Sequence, residues 1–246
     1  MSSSSPQDSA RTAVPHDPAE AAKRKAAAYA AAQVQDGMAV GLGSGTTSKL
    51  VIDEVGRRVK EGLRIKAIAT SIQSHHQAVA LGIPITNFAE TPRLDLAVDG
   101  ADEVQRGSLS LIKGHGGALL REKLVEIIAD RLLIAVDPRK IVDVLGSVFQ
   151  VPVEVVPFGW ESTAKRLRDL GFAPELRVHE DGKPYITDGQ HYILHCDLPG
   201  SGLSPEDAAE AFNRTVGVVE HGLFLGMTSQ VVIGSAEGIE ILDPAR

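Results

Sequence analysis

The sequence predicts an α/β fold: a mostly parallel sheet with helices on both faces, joined to a smaller ferredoxin-like α+β unit. Three observations point there. Between residues 38 and 140, short apolar runs alternate with stretches of helical periodicity, as a parallel sheet with right-handed crossovers requires. Four of those runs stop abruptly in glycine, hydroxyl or charged residues, the texture of loops at the carboxyl ends of strands. From "VPVEVVPFGW" onward the pattern changes, and residues 151–220 read as strand, helix, strand, strand, helix, strand.

Each element has its own signal. Asp17, Pro18 and Glu20 have the form of an N-cap, a first-position proline and a capping-box acid. They predict a helix through "AAKRKAAAYAAAQVQ", closed by Gly37. Met38 to Leu42 is a strand, followed by a loop of Gly43, Ser44, Gly45, Thr46 and Thr47. The next helix carries Leu50, Val51, Val55 and Val59 at helical spacing. "RIKAIATS" and "IPITNF" read as short strands around a helix containing Gln73 to Leu81. "LDLAVDGADEV" is a buried strand running into an acidic loop, and "LSLIKGHGG" a strand running into a glycine loop. "ALLREKLVEIIADRL" is a helix, and "LLIAVDPRK" repeats the strand-to-loop pattern. In the second unit "QHYILHCDL" is a strand, and Ser204, Pro205 and Asp207 cap a helix. "SQVVIGSAEGIEIL" returns to apolar strands that rejoin the first sheet. The opening "MSSSSPQDSARTAVPH" lacks the apolar core of a secretory signal and reads as a disordered tail. The expected division is a tail at 1–16, a sheet domain at 17–150 and 221–246, and an inserted unit at 151–220.

With 246 residues, 43% of them apolar and 23% charged, the chain can bury a full core. A net charge of −7 argues against a nucleic-acid or membrane-surface partner, both polyanionic. It leaves open a small anionic substrate met by positive charge focused in a cleft. Cys196 is the only cysteine, so an internal disulfide is excluded and a reducing, cytoplasmic location is expected. The apolar runs are too short and interrupted for a membrane span.

Four loops fall where ligands bind in open parallel sheets: residues 43–47, 99–102, 113–117 and 137–140. In the first, glycines let backbone N–H groups approach an anion, Ser44, Thr46 and Thr47 add hydroxyls, and a helix dipole begins. That suits a phosphate monoester. The loop has neither the lysine of a Walker A motif nor the third glycine of G-x-G-x-x-G, and a tight turn without ligand would look the same. In "VDGAD", Asp99 and Asp102 share one turn and are expected to raise each other's pKa, although Asp-Gly is also an ordinary turn pair. In "IKGHGGALLREK", Lys113 ends a strand beside Gly114, Gly116 and Gly117, where a cation can hold a developing oxyanion. Periodicity turns Glu122 away from Leu120, Leu124 and Ile127, toward Glu126, which favours a solvated face. Its position near a helix N-terminus instead directs it at the strand ends, with the dipole favouring its ionised form. No His or Cys lies at metal-ligand spacing from the acids. His75 and His76 look like surface or packing residues. His191, His195 and His221 fall in expected strands, and none of the five is assigned chemistry.

These residues together resemble the ribose-5-phosphate isomerase type A family. The match runs in order from about residue 20 to the C-terminus through "VGLGSGTT", "ATS", "DLAVDGADEV", "IKGHGGALLREK", "PVEVVPF" and "GVVEHGLF". The central block is specific, whereas "GLGSGTT" is shared with other sugar-phosphate proteins. The resemblance implies reversible conversion of D-ribose 5-phosphate to D-ribulose 5-phosphate without metal or organic cofactor. It also implies a Rossmann-like domain, an inserted ferredoxin-like lid, and a homodimer or homotetramer. Carried over by residue, Glu122 is the proton acceptor. Substrate would be bound by Ser44, Gly45, Thr46 and Thr47, by Asp99, Gly100, Ala101 and Asp102, by Lys113, Gly114, His115 and Gly116, and by Lys140. Lys23 is the position matching a phosphate-binding lysine of the first helix, with Lys25 its near neighbour. One departure is His115, where the family commonly has glycine; a side chain there would narrow the loop or join its hydrogen bonding. Aldose–ketose isomerisation needs a carboxylate base, a partner for an oxyanion and a group for ring opening. Glu122, Lys113 and Asp99 answer to those roles, with Asp102 holding hydroxyls. Two rivals stand beside this: a CoA transferase, with glutamate as nucleophile, and a sugar-phosphate sensor domain of a transcription regulator.

Overall fold

The computed structural model describes residues 18–244. The expected tail and Asp17, the expected cap, lie outside the described residues. Helix α1 (Pro18–Ala32) opens on proline, whose fixed φ and missing N–H suit a first turn, and Glu20 pairs with Arg24 at 2.9 Å. It ends before Gly37, which turns the chain at φ +86° into β1 (Ala39–Leu42). There follow α2 (Gly45–Lys60), β2 (Lys66–Ala69), α3 (Ile72–Ala80) and β3 (Leu96–Asp99). "IPITNF" does not form a strand. Ile85 makes an isolated bridge to Ala67, and the Asn87 side chain then accepts from the amides of Ala89 and Glu90, turning the chain away. Next come β4 (Glu103–Gln105), β5 (Leu111–Ile112), α4 (Leu119–Glu126), β6 (Leu132–Val136) and β7 (Ile141–Val142). Helix α4 is shorter than the sequence pattern. Leu94 and Ala129 bridge, with Leu94 donating to the Ile128 carbonyl and Asp130 donating back to that of Leu94, so the chain is pulled into extended form before β6.

The remainder is β8 (Val151–Val155), α5 (Trp160–Asp169), β9 (Glu175–Leu176), β10 (Tyr192–Cys196), α6 (Leu198–Ser201), α7 (Pro205–Arg214), β11 (Val218–His221), β12 (Leu223–Phe224), β13 (Gln230–Gly234) and β14 (Ile239–Leu242). Ser204 caps α7 by accepting from the Asp207 amide, as its sequence predicts.

The main sheet runs β14-β13-β6-β3-β1-β2, parallel except for the antiparallel edge strand β14. Its strands are apolar on both sides because both faces are covered. Val40, Leu42, Leu96, Val98 and Leu133 pack with Ala26, Ala30, Val51, Ile52 and Val55 of α1 and α2. Ala97, Leu132, Ile134, Val231 and Ile233 point the other way, toward Val104, Leu109, Leu111 and Phe224. A second sheet, β12-β5-β4-β7, lies against that face. The strand before the glycine loop therefore belongs to this small sheet, where β5 pairs antiparallel with β4 and β12, and not to the parallel one.

A third sheet, β11-β8-β10-β9, is antiparallel, with its strands ordered fourth, first, third, second in chain order, the arrangement of a ferredoxin-like unit. Val151, Val153 and Val155 alternate toward Ala164, Leu167, Phe172 and Phe212, and the last two rings meet at 4.3 Å. The molecule is thus a mixed α/β protein with a mostly parallel main sheet and a small α+β unit. No helix among the described residues is long and apolar enough to cross a membrane.

Candidate active site

Strands β1, β3 and β6 stand side by side in the main sheet, so the loops at their carboxyl ends converge. The glycine loop after β5 closes on them from the second sheet. Between them lies a cavity of about 280 Å³. Of the residues singled out in the sequence, Lys23, Ser44, Gly45, Thr46, Thr47, Gly100, Ala101, Asp102, Lys113, Gly114, Gly116, Glu122 and Lys140 line it. Asp99 and His115 do not.

Asp99 lies just beneath the floor. Its Oδ1 accepts from the Ser44 amide (2.9 Å), the Ser48 hydroxyl (2.6 Å) and the Gly100 amide (2.7 Å), while Oδ2 accepts from Lys113 Nζ at 2.8 Å. Both oxygens are thereby committed to holding two loops and the lysine together. Gly43 makes this possible, because a Cβ there would sit 2.0 Å from Asp99 Oδ1. Asp102 takes a different direction, accepting from the His115 amide at 3.0 Å and facing the cavity.

Lys113 is buried at the centre, with Nζ also donating to the Gly100 carbonyl at 2.7 Å and lying 3.5 Å from Glu122 and 3.3 Å from Glu126. Burial disfavours its ammonium, but Asp99, Glu122 and Glu126 outweigh that and hold its pKa well above the ordinary lysine value.

Helix α4 reverses the orientation its periodicity favours. Glu122 and Glu126 are 5% and 3% exposed, whereas Leu124 and Ile127 are 50% and 69% exposed. The acids face inward because Lys113 and the Ser44 hydroxyl supply partners that no neighbouring residue on the helix provides. Ser44 Oγ donates to Glu122 Oε1 at 2.5 Å, while Oε2 has no hydrogen-bond partner. Burial raises the Glu122 pKa to about 7; Lys113 and the Ser44 bond oppose the rise, and Asp99 and Asp102 add to it. That is the range in which a carboxylate is both available and basic near neutrality.

Ser44 is also the N-cap of α2, yet its side chain does not cap the helix. With the hydroxyl directed to Glu122, the first turn of α2, Gly45 to Thr47, lines the cavity with the positive end of the helix dipole. Lys23 reaches this end from α1 and donates to Thr46 Oγ1 at 3.2 Å, while Lys25 turns away to the Ala236 carbonyl. Asp137 accepts from the Arg139 amide and caps the short 3₁₀ turn Pro138–Lys140, which presents Lys140 with its ammonium 4.6 Å from the centre of the Phe149 ring. Lys23 and Lys140 thus line the cavity together with Lys113, Asp102 and Glu122.

His115 points out of the cavity. Its ring stacks on His195 at 4.8 Å, meets Phe149 edge-on at 4.9 Å, and its Nε2 lies 2.8 Å from the Gln150 carbonyl oxygen. Of the two expected effects of a side chain there, it joins the hydrogen bonding.

Further lining residues come from outside the four loops: Ser71 and Gln73 at the start of α3, and Tyr185 and Asp188 from the β9–β10 connection. Asp188 Oδ2 accepts from the Ile72 amide at 2.8 Å and lies 3.5 Å from Arg121, so the third sheet is tied to both α3 and α4. Tyr185 donates to the Gly116 carbonyl at 3.3 Å under the Arg177 guanidinium, 3.8 Å from its ring centre. Gly117, at φ +90°, lies so close that a Cβ would be 2.2 Å from the Tyr185 hydroxyl. Among the described residues, no group of three or more His, Cys, Asp or Glu is arranged to hold a metal ion.

This arrangement has close counterparts. The family pattern of ribose 5-phosphate isomerase A (phosphoriboisomerase A) matches residues 66–238. The ribose-5-phosphate isomerase A of Synechococcus sp. (strain JA-3-3Ab) is 53% identical over 221 residues, covering 89% of this chain and 96% of that protein. The chain belongs to the ribose 5-phosphate isomerase A family. The homologue of Gluconobacter oxydans (strain 621H) is 50% identical over 90% of this chain and 96% of its own. Among solved structures, the isomerase of Methanocaldococcus jannaschii superposes with a TM-score of 0.85 at 34% identity, covering 90% of this chain and 97% of that one. A D-ribose-5-phosphate isomerase in complex with phospho-erythronic acid gives 0.87 at 35% identity, covering 92% and 99%.

Proposed function

We propose that the chain interconverts D-ribose 5-phosphate and D-ribulose 5-phosphate through a cis-enediolate, with Glu122 as the base. The phosphate is held by Lys23, Lys140, Thr46, Thr47 and the N-terminus of α2. Being remote from the reacting carbons, it anchors and orients the sugar. The Glu122 carboxylate takes the C2 proton as the aldehyde at C1 becomes an enediolate oxygen. The resulting carboxylic acid returns the proton to C1 while C2 becomes the carbonyl carbon and the hydroxyl proton passes from O2 to O1. Lys113 supplies positive charge beside the developing oxyanion. Asp102, the aspartate that faces the cavity, takes over the ring-opening role that the sequence assigned to Asp99, and Asp99 holds Lys113 and Ser44 in register.

The observation that carries this reading is Glu122 itself: a buried carboxylate with a pKa of about 7, oriented by Ser44, lining the same cavity as Lys23 and Lys140. A relative solved with phospho-erythronic acid supports it. A phosphorylated sugar acid carries two oxygens on one planar carbon, much as an enediolate carries two on adjacent ones. The enzyme acts in the cytoplasm as a homodimer or homotetramer, with residues 151–220 as a lid and dimerisation unit. Incubation with ribose 5-phosphate after exhaustive chelation tests the proposal. Ribulose 5-phosphate accumulates at the untreated rate; no conversion, or conversion restored by a divalent ion, overturns it.

A further inference from the structure

Glu126 lies one helical turn beyond Glu122 on α4, and nothing in the reaction described above uses it. Its side chain is 1% exposed, and neither carboxyl oxygen has a hydrogen-bond partner. Lys113 Nζ stands 3.3 Å from Oε1, but its shorter bonds go to Asp99 (2.8 Å) and the Gly100 carbonyl (2.7 Å). One N–H is left between Glu126 and Glu122, the latter at 3.5 Å. The buried cluster thus sets three carboxyl groups, Asp99 from β3 and Glu122 and Glu126 from α4, against one ammonium that follows β5. Lys123, the other cation whose field reaches Glu126, turns from it to Glu220 and to the carbonyls of His221 and Leu223.

A carboxylate buried without donors is less stable than its protonated form. Asp99 has four donors and Glu122 has Ser44, so the proton belongs on Glu126. Consistent with this, burial holds the Glu126 pKa well above the ordinary carboxyl value; Lys113 opposes the rise, while Glu122 and Asp99, whose carboxyl lies within hydrogen-bond reach of a protonated Glu126, add to it. We propose that Glu126 is a positioning residue: a neutral carboxylic acid that accepts from Lys113 through its carbonyl oxygen and donates to Asp99 through its hydroxyl. It thereby fixes the ammonium and leaves Glu122 the ionised member of the pair. Were both glutamates ionised, the cluster would carry a second net negative charge and oppose both the phosphorylated substrate and the enediolate. The inference rests on the reading of Glu122 as base.

Infrared difference spectra between the wild-type protein and Glu126→Gln at pH 8.5 test the proton directly. The wild type has a protonated-carboxyl C=O band that the variant lacks; spectra without that difference overturn the proposal. Kinetics test the positioning. Glu126→Leu fills the space without polar atoms, and its kcat falls about tenfold with KM little changed, the loss of one hydrogen bond to a charged group. Glu126→Gln, whose amide offers the same acceptor and donor, recovers most of that loss, with the acid limb of kcat/KM where the wild type has it. Equal kcat in the two variants, or a limb lowered by a unit or more in Glu126→Gln, overturns the proposal. Should Glu126→Leu fail to fold, the band and the limb of Glu126→Gln still decide. Full turnover by Glu122→Gln would refute the base and leave the Glu126 band in place, so the two failures are distinguishable.

Discussion

Replacing Ser44 by alanine isolates the interaction that sets the basicity of Glu122. The Ser44 hydroxyl is the hydrogen-bond donor to Oε1, and Oε2 has none. A hydrogen bond to a charged group contributes about 1.5–3 kcal/mol. At about 1.4 kcal/mol per pKa unit, its loss raises the Glu122 pKa by roughly one to two units. Starting from about 7, the acid limb of kcat/KM moves to about 8–9. At pH 7 the ionised fraction then falls from about half to between roughly a tenth and a hundredth, so the rate there drops about 5- to 50-fold. Above the new limb much of the activity returns. The assay is a profile of kcat/KM against pH for wild type and variant. A limb that stays in place, or moves to lower pH, refutes the reasoning, since either the serine does not stabilise the carboxylate or the limb does not belong to Glu122.

Two further substitutions probe the same cluster. The raised pKa of Glu122 means that its contribution to stability is full below the unfolded value of about 4.5 and is lost as pH rises through about 7. Glu122→Gln removes that titration, so in urea melts its stability relative to wild type improves by on the order of 2–3 kcal/mol between pH 5 and pH 8; a pH-independent difference would contradict the burial argument. Lys113→Met strips three buried carboxyl groups of their cation, and it lowers stability at pH 8 by about 3–5 kcal/mol in the same melts. Turnover in Lys113→Met falls by at least about 10²-fold, and near-normal turnover would exclude Lys113 from the oxyanion role.

Much of the fold is legible locally, because a strand buried on both faces is a short apolar run and its loop begins where that run stops. Residues 43–47, 99–102 and 137–140 announce themselves in this way, and so does the cap at Ser204. The glycine loop is harder to place: "LSLIKGHGG" has the same texture as a main-sheet strand, but only pairing with β4 and β12 decides which sheet takes it. Helix α4 is the clearest limit. Its periodicity predicts that Leu124 and Ile127 go inside and the glutamates outside, and the structure does the opposite. The forces that reverse it come from Ser44 and Lys113, which belong to a loop and a strand end outside the helix and meet it only in the folded chain. The same holds for Tyr185 and Asp188, which no sequence pattern singles out and which reach the cavity only because the third sheet packs against the glycine loop. His115 was visible as a departure from glycine, but the partners that draw it outward, His195, Phe149 and Gln150, are brought to it by tertiary structure alone.

The central claim is that one carboxylate, Glu122, carries the proton between C2 and C1. Its most direct test is ribose 5-phosphate in deuterated water, comparing wild type with Glu122→Gln and following isotope at C1 of the product while binding is measured separately. The wild type incorporates deuterium as ribulose 5-phosphate forms, and the variant binds the sugar phosphate with little change yet exchanges and isomerises at least about 10²–10⁴-fold more slowly. Isotope entering at the wild-type rate in Glu122→Gln would contradict the account.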